Sequence, residues 1–310
     1  MKVYHNIEDF TPLQNAVVTS GTFDGVHVGH QKILSRLKET AKSQNGETVV
    51  ITFWPHPRLI VSPDSDGILL LSTLEEKIEL LEEIGIDHLL ILPFTRKLSE
   101  LSSDAYVQKI LLEGIGTKTL VIGYDHRFGK NREGGFDFLQ DNTDKYKIDI
   151  VEIPKQEIDH LTISSTKIRK ALLDGRIEEA KGLLGRNYSF SGLVKKGRQL
   201  GRTIGFPTAN VHTEKTYKLI PTKGVYAVLV YLRDKVYQGV MNIGSRPTVD
   251  GEGITQEVHI LNFDDDIYGE KLKVEIISFL RSEKKFDDIR DLVMQIKVDC
   301  ENVKRIFNEA

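Results

Sequence analysis

The sequence predicts an α/β protein of two domains, a parallel sheet covered by helices followed by a compact antiparallel barrel or sandwich with a terminal helix. Three observations predict it. The chain has 310 residues, about twice the usual single-domain size. In its first part, strand-like runs alternate with helix-like segments, the pattern of a parallel sheet buried on both faces. Beyond about Gly185, strand-like runs follow one another through glycine-bearing turns with no helices between them, the pattern of an antiparallel barrel or sandwich. Residues 1–185 are therefore expected to form one domain and 186–310 the other.

The elements follow in chain order. Ala16–Ser20 is a short apolar strand, followed by a glycine-punctuated turn and a helical pattern from about Gly29 to Lys42. Thr48–Phe53 is a β-branched run. Thr73 and Glu76 form a capping box at the start of a helix to Ile84, with Leu74, Ile78, Leu81 and Ile84 at helical spacing. His88–Leu92, Thr119–Ile122 and Asp149–Ile153 are further buried strands, and Ser103–Leu112 is a helix between them. Two short helical pieces then end near Gly182–Gly185. Tyr188–Val194, Val225–Leu232, Val236–Asn242, Gln256–Asn262 and Leu272–Phe279 are the strands of the second domain. A helix of about twenty residues from Phe286 closes the chain, and its stripe of Ile289, Leu292, Val293, Ile296, Cys300, Val303 and Ile306 should pack on the barrel.

Composition narrows the class. Apolar residues make up 40% and charged residues 28%, a soluble globular balance. The formal net charge of -3 argues against a protein that coats nucleic acid through bulk charge. Polyanionic ligands would have to be held by local donors and a metal ion. Cys300, the single cysteine, has no partner for an internal disulfide, which fits a reducing compartment. No apolar run has the length of a signal peptide core or a membrane span, so a soluble, cytoplasmic protein with no membrane partner is expected. The oligomeric state is not encoded in any pattern here.

The most informative stretch is Gly21-Thr22-Phe23-Asp24-Gly25-Val26-His27-Val28-Gly29-His30, which follows a strand and opens a helix. Small residues there let the backbone approach a phosphate, and the helix start supplies free N–H groups and partial positive charge. His27 and His30, three apart, share one face of that turn. A zinc site is a rival use of two histidines, but no third ligand stands at a convincing spacing. Asp24 either orients a ligand hydroxyl or holds the turn. In the second half no Gly-x4-Gly-Lys-[Ser/Thr] occurs, so a Walker-type kinase is excluded. Gly197, Gly201 and Gly205 instead make a loop whose N–H groups could wrap phosphates, ahead of Pro207-Thr208-Ala209-Asn210. In an extended segment Thr208 and Asn210 point to one side, offering a hydroxyl and an amide oxygen to a hard cation.

Gly21–His30 resembles the HxGH signature of nucleotidyltransferases in its GTFDGVHxGH form, which marks prokaryotic bifunctional riboflavin kinase/FAD synthetases. Thr52-Phe53-Trp54-Pro55-His56-Pro57 is similar to that family's TFxPHP segment, and Ile163-Ser164-Ser165-Thr166-Lys167-Ile168-Arg169 to its ISSTxIR. Gly123-Tyr124-Asp125-His126-Arg127-Phe128-Gly129 resembles GxDFRFG, with His126 where phenylalanine is more usual. Pro207–Asn210 matches the PTAN motif of riboflavin kinases. Lys223–Tyr226, Asn242–Thr248, Glu257–His259, Ile267–Gly269 and Leu280–Phe286 fall where that family has further blocks.

The resemblance implies a Rossmann-like nucleotidyltransferase domain and a six-stranded riboflavin-kinase barrel. It implies FMN and FAD synthesis from riboflavin and ATP, with Mg²⁺, releasing ADP and pyrophosphate. For adenylylation, Thr22, Phe23, Asp24, Gly25, His27, His30, Ser164, Ser165, Thr166 and Arg169 are expected to bind ATP, with His27 and His30 catalytic. Ser164 is also read as the N-cap of a helix Thr166–Leu173. His56, Pro57, Asp125, Arg127 and Phe128 are expected on the flavin substrate. For the kinase, Gly197, Gly201, Arg202, Gly205, Pro207, Thr208 and Asn210 are expected on ATP, with Thr208 and Asn210 also on the metal. Asn242, Gly244, Arg281 and Phe286 are expected on the flavin, and Glu257 as catalytic base. Two alternatives stand beside this reading: a C-terminal flavin sensor without catalysis, and an RNA-directed use of the HxGH half. Intact Thr208, Asn210 and Glu257 oppose the first. The second lacks a KMSKS segment, a zinc knuckle and a basic extension.

Overall fold

A computed structural model describes residues 1–61, 67–154, 163–197, 199–248 and 251–308. Arg198, within the glycine loop, lies outside the described residues. The chain divides into two units, Met1–Ser165 and Thr166–Ala310.

In the first unit β1 (Lys2–Tyr4), β2 (Ala16–Ser20), α1 (Val28–Ser43), β3 (Glu47–Trp54), α2 (Pro57–Val61), α3 (Leu74–Ile84) and β4 (His88–Pro93) follow in order. They are succeeded by α4 (Arg96–Ser99), α5 (Ser103–Tyr106), β5 (Thr117–Gly123), α6 (Phe136–Asp141), α7 (Thr143–Tyr146) and β6 (Asp149–Ile153). The sheet runs β1-β4-β3-β2-β5-β6 with every pair parallel. Successive strand residues serve opposite layers. Val18, Ile51, Leu90 and Leu120 join the core beneath Tyr106 and Leu111. Their neighbours Val17, Val50, Leu89 and Val121 join the core beneath Leu34, Leu37 and Leu81. Near-continuous apolar strands therefore mean two buried faces. Chain order reverses between β2 and β5, so the loops leaving those strands flank the crevice where such sheets bind ligands.

One helix departs from expectation. Ser103–Leu112 was expected as a single α-helix, but after α5 the backbone widens into π-helical hydrogen bonding over Val107–Ile115. It ends at Gly116 with φ 77°, where a Cβ would strike the Leu13 carbonyl.

The second unit takes in α8 (Ser165–Leu173), which begins at the division, and α9 (Ile177–Leu184). The Thr222 N–H donates to the Leu172 carbonyl at 3.2 Å, which ties α8 to the barrel unit. The division thus precedes the boundary expected near Gly185. There follow β7 (Tyr188–Lys195), α10 (Leu200–Thr203), β8 (Ala209–His212), β9 (Gly224–Leu232), β10 (Lys235–Thr248), β11 (Gly251–Ile260), β12 (Lys271–Arg281) and α11 (Ile289–Asn308). The strands close into an antiparallel six-stranded barrel, β10-β11-β8-β7-β12-β9. One expectation is corrected: the single turn of α10 does stand between two of these strands.

α11 begins at Ile289 because the Asp288 carboxylate accepts the Arg290 N–H at 2.7 Å, an N-cap contact. Cys300 and Val303 of α11 pack on Val225, Ala227 and Val240, with Ile296 and Ile306 beside them. Ile289 is exposed, against expectation, because it sits in the first turn, before the helix meets the barrel. β12 carries two register shifts, between Ile276 and Ser278 and between Phe279 and Arg281. The two residues set aside, Ile277 and Leu280, pack on the cluster beneath α11.

Candidate active sites

The loop leaving β2 is strained. Phe23, Gly25 and Val26 have φ of 47°, 78° and 37°, a region that costs a non-glycine residue roughly 1–3 kcal/mol and that a β-branched residue seldom enters. Buried hydrogen bonds hold it there. The Asp24 carboxylate accepts the N–H groups of Leu71 at 2.9 Å and Ser72 at 3.2 Å. The Gly25 N–H donates to the Ser72 hydroxyl at 3.1 Å, and the Gln31 amide donates to the Val26 carbonyl at 2.9 Å. A Cβ on Gly25 would lie 2.8 Å from Leu71 Cδ1, so glycine permits the close approach as well as the φ. Of the two roles open to Asp24, these contacts are those of holding the turn.

The loop delivers His27 to the N-cap of α1, where its Nδ1 accepts the His30 N–H at 3.4 Å. The two imidazoles stack with centroids 3.6 Å apart and planes inclined by 15°. They stand at the start of a 16-residue helix, where free N–H groups and the helix dipole favour an anion. The hydroxyl of Ser165, the last residue of the first unit, donates to the Asp24 carbonyl at 3.2 Å. Ser164 directly precedes α8, whereas Thr166 and Arg169 lie on it in the second unit.

The remaining residues expected here are spread around the sheet's carboxyl end. His56 is buried, its Nδ1 accepting the Arg58 N–H at 3.3 Å, and Pro57 opens α2. Asp125 and Arg127 are exposed, and Arg127 donates to the His126 carbonyl at 3.0 Å. Phe128 is buried against Tyr106 and Phe138, with its ring in the core. His126 Nε2 pairs with the Ser20 hydroxyl at 3.2 Å, across the switch point. Burial, then the charges of Arg127 and Arg132, push its pKa down to about 4, so it is neutral at neutral pH.

One residue here was missed by the sequence reading. Lys77 of α3 is 4% exposed and donates to the Thr22 carbonyl at 2.7 Å and to Thr52 Oγ1 at 3.2 Å. Burial draws its pKa down to about 8, against the attraction of Asp24.

In the barrel, strand register assembles the second site. Asn210 of β8 stands opposite Glu257 of β11, Glu257 opposite Asn242 of β10, Asn242 opposite Val225 of β9, and Val225 opposite Arg281 of β12. Directly opposed residues share a sheet face, so Asn210, Glu257, Asn242 and Arg281 form one belt around the barrel. It is the face that α11 covers, since Val225 packs against Cys300 and Val303. Arg281 is fixed there by Asp299, which is 2% exposed and accepts its Nε at 3.0 Å and Nη2 at 2.7 Å. Asn242 Nδ2 donates to Glu283 at 3.5 Å, and a Cβ on Gly244 would strike that same carboxylate. Phe286 is half-buried, with the Lys284 ammonium 5.4 Å from its ring.

Beside the belt, an open crevice is lined by Arg202, Pro207, Thr208, Asp264, Asp266 and Tyr268, among others. Gly201 packs on the Phe206 carbonyl, and Gly205, with φ 85°, turns the chain into Phe206-Pro207. His259, given no role from sequence, donates from Nδ1 to the Pro207 carbonyl at 2.8 Å and so fixes the turn into Thr208. A Cβ on Gly197 would collide with the Asn210 amide, so the glycine leaves that group room. A hydroxyl and an amide oxygen beside a carboxylate suit Mg²⁺, which takes few protein ligands and completes its shell with phosphates and water. Among the described residues, no group of three or more His, Cys, Asp or Glu could hold a metal ion.

Comparison with known proteins bears on both sites. The FAD synthetase family model matches residues 10–167, and the riboflavin kinase model matches residues 184–307. A bifunctional riboflavin kinase/FMN adenylyltransferase of Listeria monocytogenes is 37% identical over 295 residues, covering 94% of this chain and 93% of its own. The chain belongs to that family. A bifunctional riboflavin kinase/FMN adenylyltransferase of Escherichia coli is 38% identical over 304 residues, covering 98% of this chain and 96% of its own. A crystal structure described as a macrolide-efflux protein from Streptococcus pneumoniae superposes with TM-score 0.88 at 31% identity, covering 98% of both chains. Among the described residues of this family member, no helix is long and apolar enough to cross a membrane.

Proposed function

We propose that the barrel domain, residues 186–310, phosphorylates riboflavin with ATP to give FMN and ADP. Residues 1–185 then transfer the adenylyl group of a second ATP to FMN, giving FAD and pyrophosphate. The observation that supports this division is chemical asymmetry. Glu257 lies in the belt of one unit, and a stacked histidine pair at a helix start lies in the other.

The ribityl hydroxyl of riboflavin must lose a proton as it is phosphorylated, and Glu257 receives it. Thr208 and Asn210 would hold Mg²⁺, which would supply neutralisation of charge on the ATP phosphates. Gly197, Gly201, Arg202 and Gly205 belong to the loop over those phosphates. Arg281, oriented by Asp299, and Asn242 face the flavin. FMN needs no such base, because a phosphate monoester with a second pKa near ~6 is already largely dianionic at neutral pH. It attacks the α-phosphorus of ATP, and the site's work is alignment and stabilisation of the departing pyrophosphate. His27, His30 and the N–H groups opening α1 do that work, with Ser164, Ser165, Thr166 and Arg169.

The test follows flavin products over time with riboflavin, ATP and Mg²⁺. FMN should rise first and then decline as FAD accumulates. Glu257→Gln should make no FMN from riboflavin yet convert supplied FMN to FAD. His27→Ala should accumulate FMN with FAD formation lowered by about a hundredfold or more. Loss of both activities in either folded variant would sink the two-site division.

A further inference from the structure

An amino group withdrawn from water is costly unless its donors find partners, so a buried lysine calls for a reason. Lys77 reaches from α3 beneath the loop that leaves β2, and its Nζ meets the Thr22 carbonyl at 2.7 Å. Thr52 Oγ1 accepts from Nζ at 3.2 Å and itself donates to the same carbonyl at 3.2 Å. Both donors thus converge on Thr22, the residue immediately before the positive-φ stretch begins at Phe23. Downstream, Asp24 is tied through Leu71 and Ser72, Gly25 through Ser72, and Val26 through Gln31. Upstream, the Gly21 N–H donates to the Ile51 carbonyl at 3.0 Å. Lys77 and Thr52 hold the carbonyl at the entry to the strained turn.

We propose that Lys77 is a positioning residue for adenylyl transfer, holding the Thr22 carbonyl so that the backbone from Thr22 to His27 presents its N–H groups and the histidine pair to the triphosphate. The inference rests on the adenylyltransferase reading of this unit. Lys77 touches backbone and the Thr52 hydroxyl, so it acts through the loop rather than on substrate. Its surroundings support a positional role over simple packing. Methionine would occupy similar volume with no charge to desolvate, whereas only a donor can engage the carbonyl. The charge of Asp24, within the same turn, favours the ammonium form.

Lys77→Met in the full chain is the test, with riboflavin phosphorylation as internal control. The expected result is a kcat for FAD formation from FMN at least tenfold lower, a KM for ATP within threefold, and an unchanged kinase rate. A kcat within twofold of the unmodified chain overturns the inference. So does a KM increase above tenfold at unchanged kcat, which would make the lysine an affinity determinant. If Lys77→Met does not fold, Thr52→Val, which removes one of the two donors on the Thr22 carbonyl, replaces it. A kcat loss of threefold or more at unaltered KM supports the inference, and a smaller loss overturns it. If the unmodified chain makes no FAD, the adenylyltransferase reading itself falls, and the inference with it.

Discussion

Lys77 carries a second consequence, for stability. Its pKa in the folded chain, about 8, lies below the ordinary 10.5 because burial disfavours the charged form. Between those values the unfolded chain binds more protons than the folded one, so the group's contribution to stability rises with pH from 8 to 10.5 and is level outside that window. At neutral pH the burial costs about 3 kcal/mol on the scale of 1.36 kcal/mol per pKa unit. The stability of the unmodified chain should therefore rise relative to that of Lys77→Met across that window. Urea unfolding followed by Trp54, the single tryptophan and a residue of the first unit, measures it. A gap independent of pH would contradict the assigned burial cost. The residues proposed to carry chemistry stand out in the sequence because their motifs are chemical: His27, His30, Thr208, Asn210 and Glu257 are polar where a packed element would spend an apolar side chain. Lys77 does not, since Glu75-Glu76-Lys77 reads as a solvated helix face. Its spacing held the signal, three after Leu74 and four before Leu81, on the buried stripe.

Elements with local determinants were legible from the sequence, and those determined by packing were not. The box at the head of α3 forms as expected, with the Glu76 N–H on Thr73 Oγ1 at 3.2 Å and the Thr73 N–H on the Glu76 carboxylate at 3.0 Å. Thr73→Ala should lower the stability of the first unit by about 1 kcal/mol and leave riboflavin phosphorylation unchanged. An unmoved urea midpoint would show that packing alone fixes this helix. The widening after α5 had no such sign, because an apolar stretch such as Val107–Ile115 supports α- and π-type bonding alike until its neighbours choose. β1 escaped for a related reason: three residues, Lys2-Val3-Tyr4, acquire strand identity only by pairing with β4. The one-turn α10 is likewise too short to leave a periodicity.

At the scale of the molecule, alternation foretold a parallel sheet, but nothing local decided between a barrel and a sandwich; closure depends on long-range pairing of β12 with both β7 and β9 and of β11 with β8. Two independent sites also make a prediction about mixtures. Glu257→Gln chains and His27→Ala chains, each unable to convert riboflavin to FAD at a normal rate alone, should do so together, with FMN released by one and taken up by the other. Product analysis of the mixture decides it, and no gain over the separate variants would mean that FMN does not pass through solution. The paired shifts in β12 show how narrowly the kinase belt is specified. In an unbroken ladder Val225 would face Phe279; omitting Ile277 and Leu280 from the pairing brings Arg281 there instead. Because the offset is even, inward and outward sides of the strand are preserved while the guanidinium moves one pleat along the axis.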